Sequence, residues 1–174
     1  MFVLGIDPGL SRLGYACVER VPRQRGGRTA RAAAVGVIRT SADAPIPDRL
    51  AAIQAEVRSL IAEHRPAVVA IERVFFQVNA STAIGVAQSS GVTMAEAVSA
   101  GATVVEYTPN QVKEAVAGWG SAGKEQMQEM VRMLLGLETT PRPADAADAA
   151  AVALCHLAHA PTVARAAAAS GRRR

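Results

Sequence analysis

FVLGID, residues 2–7, is an apolar run that ends in an acid. Its branched and aromatic side chains predict a buried strand, and Pro8-Gly9 turns the chain behind Asp7. AVVAIE, residues 67–72, has the same design. It is apolar on both faces, as a central strand must be, and it closes on Glu72. If the two strands are adjacent and parallel, their carboxylates meet at one sheet edge, where open α/β sheets bind ligands. Read singly, Asp7 serves equally well as a turn residue and Glu72 as a solvated acid.

Working outward, residues 13–20 and 30–39 read as strands joined by a polar, Arg- and Gly-rich loop, so the chain opens with an antiparallel meander. Leu50, Ile53, Val57, Leu60 and Ile61 recur with helical spacing over residues 47–64, and Pro66 ends that helix. A second helix, 80–100, carries the stripe Ile84, Ala87, Gly91, Met94 and Val98. That stripe suits either packing on the sheet or contact with a second copy of the chain. A fifth strand follows at 102–107. Thr108-Pro109 starts a short helix that Gly118 stops, and Ser121 starts another running to about Leu135. Residues 144–160 form a last, Ala-rich helix, and 161–174 read as a flexible basic tail. The expectation is an α/β fold in a single domain, residues 1–160: one five-stranded mixed sheet flanked by helices on both faces.

Asp145 and Asp148 lie three apart at the start of the last helix, on one face of it. Acids in a first turn also complement the helix dipole. Here the surrounding run, ADAADAAAVA, is nearly all Ala, so the helix can lie close on the sheet and bring both acids toward Asp7 and Glu72. Four carboxylates within a few ångströms raise one another's pKa, and divalent cations relieve the conflict. Hard oxygen donors suit Mg²⁺, with Mn²⁺ as a substitute, and two such ions about 4 Å apart support in-line phosphoryl displacement. His64, His156 and His159 have no evident catalytic partners and read as structural or surface residues.

The net charge of +4 is compatible with a polyanionic partner, although Arg-rich usage has compositional causes as well. Cys17 and Cys155 lack metal-site spacing and read as reduced thiols. A strand-like run begins at residue 2, and the longest apolar stretch is too short for a membrane span, which predicts a soluble, cytoplasmic protein.

The blocks LGIDPGLSRLG (4–14), VVAIERVFF (68–76), NASTAIGVAQSSGV (79–92), PNQVKEAVAGWGSAGKEQMQEMV (109–131) and PADAADAAAVALCH (143–156) occur in one order across most of the chain. Together they resemble the RuvC family of Holliday-junction resolvases, whose fold is ribonuclease H-like. The resemblance implies that Asp7, Glu72, Asp145 and Asp148 are the catalytic, metal-binding acids. It implies that Lys113 and Lys124, the only lysines in the chain, contact DNA, and that Phe75 stacks on a base at the opened junction. It further implies a homodimer that makes paired symmetric nicks with 5′-phosphate and 3′-hydroxyl ends, and cooperation with the RuvA–RuvB branch-migration complex. Two other readings stay open at this point. A non-catalytic junction-binding protein on the same fold would be expected to lack part of the acidic set. An actin/sugar-kinase-like nucleotide-binding protein shares the first glycine-rich turn but needs a second phosphate loop.

Overall fold

A computed structural model describes residues 2–22, 30–74 and 80–171, apart from the side chains of 80–82 and 161–171. The elements run β1 (Phe2–Asp7), β2 (Arg12–Arg20), β3 (Ala30–Arg39), α1 (Ile46–His64), β4 (Val68–Glu72), α2 (Ala80–Ser99), β5 (Thr103–Tyr107), α3 (Pro109–Ala117), α4 (Lys124–Leu135) and α5 (Ala144–Gly171). The sheet order is β3-β2-β1-β4-β5. The meander is antiparallel, whereas β1–β4 and β4–β5 are parallel. The two acid-ended strands are therefore neighbours at the centre of one five-stranded mixed sheet.

Strand alternation divides the core in two. Leu4, Ile6, Leu13, Cys17, Val69 and Ile71 face α1 and α2, meeting Ile53, Val57 and Ile61. Val3, Ala16, Val18 and Ala70 face α3, α4 and α5. The second layer is thin because α5 presents Ala149, Ala150 and Ala153, all fully buried. The sheet meets that face with glycines. A Cβ at Gly5 would overlap the Ala149 carbonyl oxygen and lie 2.8 Å from the Ala153 Cβ, and one at Gly14 would overlap the Asp145 backbone.

Helix ends follow local chemistry. Thr108 and Gln111 form a reciprocal capping box at α3, and Gly118 ends that helix in the left-handed region (φ 87°). The following helix begins at Lys124 with Gly123 as N-cap, not at Ser121. The helical backbone of α5 runs on past residue 160 to Gly171.

The face that α2 buries differs from the apolar stripe in its sequence. It turns Ser89, Ser90, Thr93 and Ala97 inward. The Ser89 hydroxyl donates to the Val86 carbonyl and the Thr93 hydroxyl to the Ser89 carbonyl, so small polar groups are buried with their hydrogen bonds made. Ile84 and Val98 of the stripe are consequently 59% and 64% exposed. The stripe as a whole does not pack on the sheet.

Candidate active site

Ile6 and Ile71 are register partners in the parallel β1–β4 pair, so the next residues, Asp7 and Glu72, leave the sheet side by side. On the other side of β1, Asp7 is paired with Gly14 of β2. The bare Gly14 lets the first turn of α5 descend at that point, which places Asp145 and, three residues on, Asp148 over the same edge. The four predicted acids are thus brought together by two strand ends and one helix.

Their electrostatics show how close the association is. The Asp7 carboxyl is pushed up to about 8, first by burial and then by Glu72, Asp148 and Asp145, with Lys124 opposing. Burial also raises Glu72; Asp148 adds to this and Lys113 counters it. Asp148 is raised by burial and by Asp145, and held down by Lys124. Lys124 Nζ lies 3.6 Å from Asp148 Oδ2, an ion pair long for a hydrogen bond. Lys113 and Lys124 therefore flank the acids as partial counter-charges. Both line a cleft of about 280 Å³ with Glu72 and Asp148. Among the described residues, no three His, Cys, Asp or Glu side chains are gathered closely enough in this structure to hold a metal ion. Asp148 faces Lys124, and Asp145 faces Arg12.

Arg12 was not among the expected site residues. Its Nε lies 3.6 Å from Asp145 Oδ2. Strand alternation carries the signal for it: Arg12 is two residues from Gly14 and so shares the face that α5 covers. Arg49, also unanticipated, is buried at the start of α1 and lines a second groove of about 520 Å³ with Asp7, Ser11, Arg12 and Asp145. Phe75 lies outside the described residues. His156 is structural, as expected: its Nδ1 is 2.9 Å from the Tyr107 hydroxyl in the core.

The family model described as crossover junction endodeoxyribonuclease RuvC matches residues 3–156, a span that includes all four acids, both lysines and Phe75. The chain belongs to the RuvC family. The RuvC of Salinispora arenicola is 50% identical over 100% of this chain and 97% of its own length. That of Chloroflexus aggregans is 47% identical over 95% and 98%. Thermus thermophilus RuvC superposes with a TM-score of 0.85 at 39% identity, covering 93% of this chain and 96% of that one. A structure of T. thermophilus RuvC in complex with Holliday junction substrate superposes with a TM-score of 0.82 at 36% identity. The fold is accordingly the ribonuclease H-like fold of RuvC. Among the described residues no helix is long and apolar enough to cross a membrane.

Proposed function

We propose that the protein is a metal-dependent endonuclease that resolves four-way DNA junctions by paired symmetric nicks, in recombination and DNA repair. The observation that carries this reading is the meeting of Asp7, Glu72, Asp145 and Asp148 at one sheet edge, where burial and the neighbouring acids raise the proton affinities of Asp7, Glu72 and Asp148. The donor set fits a divalent cation: the groups are hard carboxylate oxygens, half-buried, and their two lysine counter-charges leave the cluster anionic. We assign all four acids as ligands of Mg²⁺, with Mn²⁺ able to replace it and two ions per site. A bound cation would supply Lewis-acid activation of water and charge neutralisation at the leaving oxygen.

The chain's own residues do the rest. The strand ends fix Asp7 and Glu72, while the close seat of α5 on Gly5 and Gly14 fixes the spacing of the other two acids. Lys113 and Lys124 offer ammonium groups to the phosphates of the strand being cut, and on its arrival can release the acids they now face. We assign water as the attacking group and the 3′ oxygen as the leaving group, so that the products carry 5′-phosphate and 3′-hydroxyl ends. We place the catalytic domain in residues 1–160 and give the basic tail no part in the chemistry. Phe75 we assign to stacking on an unpaired base at the junction centre. A twofold dimer supplies the two sites that paired nicks require. As an RuvC-family chain its expected partner complex is RuvA–RuvB, a cytoplasmic assembly.

The deciding experiment is incubation with a synthetic four-way junction in Mg²⁺ and in EDTA. Nicks in Mg²⁺ alone that DNA ligase seals directly are expected. A junction bound but left intact in every divalent cation would make the protein a non-catalytic binder.

A further inference from the structure

We infer that the groove between the β1–β2 turn, the start of α1 and the start of α2 seats a backbone phosphate of the DNA strand that runs past the cut site, with Ser11 and Arg12 touching it and Arg49 charging it from behind. The inference deepens the proposed function and rests on it.

Arg49 is the reason. It is only 8% exposed, on a helix face otherwise filled by Ile53, Val57 and Ile61. Its Nε donates to the Thr40 hydroxyl at 2.9 Å and its Nη2 to the Ser11 hydroxyl at 2.5 Å. Among the described residues, no carboxylate lies within ion-pair distance of it. A buried cation held by neutral hydroxyls alone is expensive, and a neutral donor could tie these loops together at less cost. The charge is accounted for if an anion completes the site.

The surroundings are arranged for one. The Thr40 hydroxyl donates to the Leu10 carbonyl at 2.6 Å and the Thr40 amide to the Ser11 carbonyl at 3.2 Å, which pins the turn after Asp7. The Ser11 oxygen accepts from the guanidinium, so its own proton is left to donate and is polarised toward an anion. Ser11 and the 60%-exposed Arg12 side chain stand at the groove rim beside Arg49. Asp7 and Asp145 line the same groove, so an anion held there lies next to the reacting phosphate rather than in a separate site. Leu10, Ile46, Gly85 and Val86 make much of the remaining wall apolar, and the groove's volume of about 520 Å³ has room for a sugar-phosphate unit. The lysine cleft lies beyond Glu72 and Asp148, so the two basic features bracket the acids.

The test measures binding of a four-way junction, with metal chelated so that nothing is cut, for wild type, Arg49→Met, Arg49→Lys and Ser11→Ala. Junctions carrying one neutral methylphosphonate at each position flanking the cut site are compared with the unmodified one. One methylphosphonate should weaken wild-type binding about tenfold and leave Arg49→Met indifferent. Arg49→Met should also flatten the salt slope by about one unit, while Arg49→Lys retains it. Ser11 is exposed, so Ser11→Ala should fold normally and lose part of the same discrimination; it decides the matter if Arg49→Met does not fold. Equal salt slopes and equal methylphosphonate profiles in wild type and variants would overturn the seat while leaving the proposed function standing. A free phosphate ion in the groove would give that same result, since no single DNA position would then distinguish the proteins. A wild type that neither binds nor cuts the junction would remove the proposed function, and this inference with it.

Discussion

Asp7 holds its proton up to about pH 8 because it is buried among three other acids. Unfolded, it releases the proton near 3.8, so between these values the folded state binds more protons than the unfolded one. Stability of the metal-free protein should therefore fall as pH rises from about 4 to about 8, by on the order of a few kcal/mol. Asp7→Asn should flatten most of that fall in thermal melts taken in EDTA, and should abolish cutting while sparing junction binding. An equal pH dependence in the variant would show that Asp7 is not the strained group. Phe75 carries a second prediction at this scale. A junction with 2-aminopurine beside the cut site should change fluorescence on binding wild type and not Phe75→Ala, with stacking contributing about 1–3 kcal/mol. An identical response from the variant would assign the stacking elsewhere. The acids were legible in the sequence because each ends an apolar run or opens an Ala-rich one. Arg12 and Arg49 were not, because a basic residue near a turn or a helix start ordinarily belongs to solvent; only the packed strands and α5 show what these two face.

At the scale of elements, the strands could be read in advance because β1 and β4 are apolar on both faces and hydrophilic turns bound them. The conditional step, that they pair in parallel, is met by the register Ile6↔Ile71. What periodicity could not reveal is which glycines serve packing. Gly5 sits inside a strand and looks like a loss of β-propensity, yet it faces the backbone of α5. Gly5→Ala should lift α5 from the sheet and destabilise the fold by about 1–3 kcal/mol in denaturant titration. It should also weaken Mn²⁺ binding, read by calorimetry, because Asp145 and Asp148 move with the helix. A stable variant with unchanged metal affinity would show that the close approach does not set the site. The start of α4 was misplaced for a related reason. Ser121 is a good N-cap by type, but Ala122 is buried against the core, and the helix begins only after Gly123.

At the scale of the molecule, α2 has two faces and only one is explained by this chain. Its inward face is small and polar, self-satisfied by Ser89 and Thr93, and packs beside α1. Its outward face carries Ile84 and Val98 largely exposed, with Gly91 between them, where a Cβ would meet nothing within 4 Å. An exposed apolar stripe with a bare centre lets two helices approach closely across a twofold axis. The proposed paired nicks demand two sites, and α2 follows β4, whose end holds Glu72, so a dimer built on α2 would join the two sites through the same segment that leads out of each. The protein should therefore sediment as a dimer at micromolar concentration, and Gly91→Arg should shift it to monomer without lowering its helix content. The monomer should still bind a junction, more weakly, and nick one strand without the paired second cut. A wild-type monomer would overturn the dimer; a dimeric Gly91→Arg would move the interface off this face of α2.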